Sequence, residues 1–228
     1  MEDVIFCWSG GKDSTLALHR VLEEKKYNPL VLISTLTEGY DRISMHGVRR
    51  DLLEAQARSI GMELEQVFIP KEASNEIYED RMNAVYLKWK SERINTVLYG
   101  DIFLEDLRRY RDDNLLRLGM KGAYPLWLQN TDQLSLEFID LGYKAKIACV
   151  DTQALDESFA GRDYDIDFLQ DIPADVDPCG ENGEFHSFVY EGPILTSPIP
   201  VETGPLEKRD RFVFADIMPG SATDPPSL

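Results

Sequence analysis

Along the first half of the chain, apolar residues fall into short unbroken runs that alternate with stretches spaced three and four residues apart. Val4–Trp8 is such a run, too short for a helix, and it predicts a strand buried on both faces. Ala17, Leu18, Val21 and Leu22 then recur at helical spacing, and the charged run Glu23-Glu24-Lys25-Lys26 closes that helix. The alternation repeats. Residues 29–35 (PLVLIST) predict a second strand. Val48, Leu52, Leu53, Ala55, Gln56 and Ile60 predict a helix, with Gly61 placed to end it. Residues 64–70 (LEQVFIP) predict a third strand, stopped by Pro70, and Ile77, Arg81, Met82, Val85, Tyr86 and Trp89 mark a third helix. A fourth strand at 96–101, a helix over about 105–118 ended by Gly119, and a fifth strand at 123–127 (AYPLW) complete the series.

Strands separated by helices of this length require crossover connections, which are right-handed, so the pattern predicts an α/β fold with a parallel five-stranded sheet. Ligands of such sheets sit outside the carboxyl ends of the strands. That rule puts 9–14, 34–37 and Gly100-Asp101 on one rim. The second half of the chain changes character: a helix at about 131–141 followed by Gly142, a strand at 143–151, the polar stretches 155–165 and 171–186, an alternating strand around 185–190, a Pro-rich passage at 193–205 and a final strand near 211–217. This predicts a smaller α+β domain. The expected division is 1–127, 128–218 and a frayed tail at 219–228.

Charge narrows the partners. The chain of 228 residues carries 24 Lys+Arg against 41 Asp+Glu, a formal net charge of −17. Such a surface repels nucleic-acid phosphates at long range, and no basic run exceeds short pairs such as Arg49-Arg50 and Arg108-Arg109, which disfavours a nucleic-acid partner. The cysteines Cys7, Cys149 and Cys179 form no CxxC pair, so neither a disulfide framework nor a zinc ribbon is indicated. The acidic N-terminus does not read as a signal peptide, and no apolar stretch approaches a membrane span; a cytoplasmic location is the expectation. The pattern leaves a homo-oligomer open.

Two motifs carry chemistry. The first is SGGKDS at Ser9–Ser14, between the first strand and the first helix. Glycines let the backbone approach an anion, the helix N-terminus offers unpaired N–H groups, Lys12 adds a point charge, and Ser9 and Ser14 add hydroxyls. Asp13 beside a phosphate makes sense as a Mg²⁺ ligand or a helix cap. The Walker spacing is absent. The second motif is DPCGENGEFHSF at 177–188, with Glu181, Asn182, Glu184 and His186 packed around two glycines ahead of a strand. Here the bland reading is an Asn-Gly turn with solvated carboxylates. Asp101 is a candidate Mg²⁺ ligand or adenosine contact, with a helix cap as the alternative. Ser34 and Gly100 are candidate nucleotide contacts, and His46 and Arg49 could line an entrance. His19, mid-helix, reads as surface or packing.

SGGKDS resembles the PP-loop of ATP pyrophosphatases, which split ATP between the α and β phosphates. Together with DPCGENGEFHSF, LYGDIFLEDLRRYRD and ACVD, it resembles the diphthine–ammonia ligase family over most of residues 3–217, with Ser187 where that family usually has Thr. The resemblance implies an adenine nucleotide alpha hydrolase-like (Rossmann-like) fold. It also implies an enzyme that adenylates a carboxylate with ATP and Mg²⁺ and lets ammonia displace AMP. On that reading Lys12, Asp13 and Glu184 are catalytic; Ser9, Gly10, Gly11, Lys12, Asp13, Ser14, Ser34, Gly100 and Asp101 bind ATP. Asp13 and Asp101 hold the metal, while Glu181, Asn182, Glu184 and His186 face the acceptor. Its partners would be ATP, ammonium and a carboxylate acceptor, in the family the diphthine of elongation factor 2. Two alternatives are a PP-loop enzyme that thiolates tRNA, for which paired cysteines are missing, and a non-catalytic ATP sensor, which would have little use for an intact Lys12-Asp13 pair.

Overall fold

The computed structural model describes residues 1–40, 42–43 and 47–221; His46 lies outside the described residues. The first strand, β1 (Glu2–Cys7), is followed by α1 (Lys12–Glu24), β2 (Tyr27–Thr37), a short β3 (Arg42–Ile43), α2 (Arg50–Ile60), β4 (Glu63–Ile69) and α3 (Asn75–Ser91). Next come β5 (Thr96–Leu98), α4 (Glu105–Arg117) and β6 (Lys121–Ala123). Strands β4, β2, β1, β5 and β6 lie side by side in that order and all run parallel, as expected, while β3 adds a short antiparallel pairing at the end of β2. Val4, Ile5 and Phe6 are completely buried because β1 is central and covered on both faces.

Each face has its own core. On one side α3 and α4 contribute Met82, Tyr86 and Leu115 against Ile5, Val31, Ile33 and Val97. On the other, Leu16, Ala17 and Leu18 of α1 and Leu52 and Leu53 of α2 pack on Val4, Phe6 and Leu32. That second core continues without a break into the C-terminal half. The elements there are α5 (Thr131–Asp140), β7 (Lys144–Asp151), a single 3-10 turn (Glu157–Phe159), α6 (Ile166–Asp171), β8 (Phe185–Glu191), β9 (Val201–Arg209) and β10 (Phe212–Pro219). They build a four-stranded antiparallel sheet in the order β8-β7-β10-β9. Helix ends follow the glycine signals: Gly61, Gly119 and Gly142 all take positive φ.

Two expectations need correction. The fifth strand is Lys121–Ala123 rather than 123–127, because Pro125 opens a turn closed by the Trp127 N–H donating to Tyr124. The end of the Pro-rich passage enters β9, which tolerates Pro205 because it is the edge strand of its sheet. The expected tail starts inside β10, at Pro219, and residues 222–228 lie outside the described ones. Neither β3 nor α6 is legible in the periodicity, being two and six residues long.

Candidate active site

Gly10 and Gly11 turn the chain from β1 into α1. Gly10 has φ +75, and Gly11 is the N-cap in extended conformation, so the first turn of α1 begins at Lys12 with N–H groups facing the rim. Ser9 Oγ accepts from the Gly11 N–H at 3.2 Å and lies 3.0 Å from Ser14 Oγ, bracing the turn from within. Gly100, just after β5, meets this turn closely: a Cβ there would sit 2.9 Å from the Ser14 Cα and N. Only glycine fits.

The second motif is docked directly on the first. Ser187 Oγ accepts from the Lys12 N–H at 3.1 Å, and the Val189 N–H donates to the Gly10 carbonyl at 3.0 Å. Gln56, 1% exposed on α2, donates through Nε2 to both the Gly10 and Val189 carbonyls, while its Oε1 accepts from the Trp8 indole. Three segments far apart in sequence are thereby fastened at one point. The Lys12 ammonium is buried, donating to both Asp13 oxygens at 2.8 Å and to the Cys179 carbonyl, and it lies within 6 Å of the Tyr164 and Phe185 rings. Burial is the largest single influence and works against its charge, but the surrounding acidic groups, Asp13 foremost through charge and hydrogen bond, together raise Lys12 and keep it protonated.

A large cavity of about 680 Å³ opens above this junction. Ser9, Gly11, Lys12, Asp13, Ser14, Gly100 and Asp101 line it from the parallel sheet, and Glu181, His186 and Ser187 line it from the other side. The remaining expected residues sit elsewhere. Ser34 is turned away, its hydroxyl donating to the Trp8 carbonyl at 2.5 Å, and its neighbours Ile33 and Thr35 face the cavity instead, as strand alternation requires. Gly10 acts through its carbonyl.

The 177–188 loop divides its acidic residues between two tasks. Glu184 is 8% exposed and does not line the cavity; its Oε1 accepts from the Asp177 N–H at 3.1 Å and from Asn182 Nδ2 at 2.9 Å. Asn182 is exposed and likewise off the cavity. Both brace the loop and neither reaches the cavity, where an acceptor contact was expected of them; of the four expected residues of this loop, Glu181 and His186 line it. Glu181 Oε1 accepts from the Ile102 N–H at 2.7 Å and the Phe103 N–H at 3.3 Å, which ties the loop to the end of β5. Burial raises its carboxyl to about 7, with the Asp13 and Asp101 carboxylates adding to the rise against those two N–H groups. Burial, and then the Lys12 charge, lower His186 to about 4, so it is a neutral imidazole at physiological pH.

Asp101 pairs through Oδ1 with Arg111 at 3.2 Å, and its Oδ2 is buried without a partner. Of the two carboxylates expected to hold magnesium, Asp101 offers this unpartnered oxygen, whereas both Asp13 oxygens accept from Lys12; a magnesium ion takes one or two protein carboxylates and completes its shell with phosphate and water. No group of three or more His, Cys, Asp or Glu gathers as a metal cage among the described residues. The cysteines are poorly set for thiolate chemistry. Burial raises all three, and the Cys179 thiol donates to the Thr131 carbonyl. Arg49 does not reach the cavity; it clamps Asp216 of β10 at 2.6 Å. His19 is buried, with Nδ1 2.8 Å from the Tyr143 hydroxyl, a packing role. Among the described residues no helix is long and apolar enough to cross a membrane.

Gln56 and Arg111 were not singled out as site residues by the sequence. The only signal for Gln56 is a polar residue on the apolar stripe of α2, and Arg111 is one of several charges in LRRYRD.

Comparison with known proteins follows the same two halves. The diphthine–ammonia ligase of Rattus norvegicus is 25% identical over 235 residues, covering 92% of this chain and 86% of the relative. The Homo sapiens diphthine–ammonia ligase is 25% identical over 189 residues, covering 79% and 70%. Among solved structures, a predicted subunit of tRNA methyltransferase from Methanocaldococcus jannaschii matches with a TM-score of 0.44 at 20% identity, covering 64% of this chain and 80% of that one. The model of the diphthamide synthase N-terminal domain matches residues 2–122 and that of the C-terminal domain residues 130–217, so the chain belongs to the diphthamide synthase family.

Proposed function

We propose that the protein is an ATP-dependent carboxylate–ammonia ligase that releases AMP and pyrophosphate. The observation that carries this reading is the shared cavity, which sets Lys12 and the α1 N-terminus against Glu181 and His186. Relatives named diphthine–ammonia ligase support it, and they make a diphthine-type carboxylate the first acceptor to try.

The chemistry runs in two displacements. The acceptor carboxylate attacks the α-phosphorus of ATP, the α–β bridging P–O bond breaks, and pyrophosphate leaves with that electron pair. Ammonia then attacks the acyl carbon of the adenylate, the C–O bond to AMP breaks, and the nitrogen sheds a proton. Lys12 and the first-turn N–H groups of α1 bind the polyphosphate and stabilise the charge that builds on it. Magnesium, held by Asp13 and Asp101, would neutralise phosphate charge. Glu181, with a carboxyl near 7, has the affinity to take a proton from ammonium at neutral pH. Neutral His186 can donate or accept a hydrogen bond without adding charge. Glu184 and Asn182 keep the loop that carries Glu181 in shape.

The test is product analysis with ATP, ammonium and diphthine-bearing elongation factor 2. AMP, pyrophosphate and an amide are expected. ADP as the sole nucleotide product would refute the ligase assignment, whatever the acceptor.

A further inference from the structure

The cavity does not end at the phosphate loop. It runs between α3 and α4, where Tyr78, Met82, Tyr99, Leu107 and Tyr110 line it. This compartment is rich in aromatic and apolar side chains, with Asn75, Glu79, Asn83 and Asn114 also in its lining, and it holds one guanidinium. Lys12 and Arg111 are the only Lys or Arg residues lining the cavity among those described, and His186 is neutral. Arg111 stacks over the Tyr99 ring at 4.2 Å, and its side chain is 26% exposed. Asp101 is its only ion-pair partner among the described residues, through one nitrogen at 3.2 Å, and no hydrogen bond to a neutral group occupies its remaining donors.

The ligase reading requires two anions in one cavity, a nucleotide polyphosphate and an acceptor carboxylate. Lys12 and the α1 N-terminus account for the first. A planar guanidinium with free N–H groups, mounted on an aromatic wall, is the matching receptor for the second. We infer that the α3–α4 compartment is the acceptor subsite, in which Arg111 binds a carboxylate whose attached aromatic or apolar body lies against Tyr78, Tyr110 and Met82. The inference rests on the proposed ligase activity for the purpose of the site, but the binding it asserts stands by itself. A monocarboxylate with a flat apolar body fits best.

The experiment uses phenylacetate and its neutral isostere phenylacetamide as probes, with Mg²⁺ and AMP present, read by ligand-observed NMR and calorimetry on the full chain. Phenylacetate should bind and phenylacetamide should not. Arg111→Gln should weaken phenylacetate at least about tenfold, as for loss of a charge-assisted pair, with AMP affinity essentially unchanged. Arg111→Lys keeps a cation for Asp101 and so guards against misfolding; it should also weaken the probe, because an ammonium lacks the bidentate fork. Equal binding of acid and amide, no phenylacetate binding to the wild type, or undiminished binding in both variants would overturn the assignment. A large loss of AMP affinity in both variants would also overturn it, placing Arg111 with the nucleotide. Production of ADP in the turnover assay would remove the ligase reading and leave this result untouched, so the two failures are separable.

Discussion

Removing the Gln56 amide should uncouple the phosphate loop from β8, and the structure allows the cost to be worked out. In Gln56→Leu the Trp8 indole N–H, at 3.1 Å from Oε1, loses its acceptor inside a core where Trp8 is 3% exposed. The Val189 carbonyl loses a donor at 2.6 Å, whereas the Gly10 carbonyl keeps the Val189 N–H at 3.0 Å. Buried groups left unpaired cost about 1–3 kcal/mol each, so the two together predict a loss of roughly 2–6 kcal/mol. Against a typical stability of about 5–15 kcal/mol that is a large fraction, so the unfolding midpoint must be read beside the binding. Gly10, with φ +75 and no side chain, is then held only by backbone, and the first turn of α1 loses its fixed aim. ATP affinity should fall by about tenfold or more, equivalent to about 1.4 kcal/mol. Calorimetry with a non-hydrolysable ATP analogue, paired with urea unfolding, reads both quantities. Ile94→Ala is the control: Ile94 is 2% exposed just before β5, at the opposite end of the sheet, and should lose about 2–5 kcal/mol with nucleotide affinity intact. The positioning role fails if Gln56→Leu is destabilised like the control yet binds nucleotide as tightly as the wild type.

Other outcomes follow from the same geometry. Lys12→Ala should abolish ATP turnover and lower nucleotide affinity sharply by calorimetry, while leaving the Ser187–Lys12 backbone bond in place; wild-type affinity would contradict the phosphate assignment. Glu181 accepts a proton only when ionised, so turnover should rise through pH about 7 and the limb should vanish in Glu181→Gln. The linked stability has the opposite sense: the folded carboxyl binds its proton more tightly than an unperturbed glutamate of pKa 4.5, so its contribution is full below that value and is lost as pH rises through about 7, which pH-dependent urea midpoints would reveal. Glu184→Gln keeps an oxygen for the Asp177 N–H and should retain most activity at a cost of about 1 kcal/mol, in contrast to Glu181→Gln; equal inactivation of the two would restore Glu184 to the chemistry. Gly100→Ala should push against the Ser14 backbone and weaken ATP binding more than stability.

The chain's own pattern was enough for the parallel sheet, because strand and helix periods are local properties: each apolar run and each three-four spacing records which faces of one element are buried. It was enough for the Gly-Gly-Lys turn as well, since Gly10, Gly11 and Lys12 lie within one strand–helix junction. It could not divide the acidic loop. Glu181 and Glu184 look alike in GENGEF, and only the packing of that loop against β5 sends one to the Ile102 N–H and the other to Asp177. Nor could it mark Gln56, whose three partners come from residues 8, 10 and 189. The same holds for Arg111, an ordinary helix charge until α3 and α4 enclose it beside Asp101 and Tyr99. Residue type and spacing determined what each segment can form; which carboxylate meets the cavity, and which cation lines it beside Lys12, depended on contacts between segments that share no sequence neighbourhood.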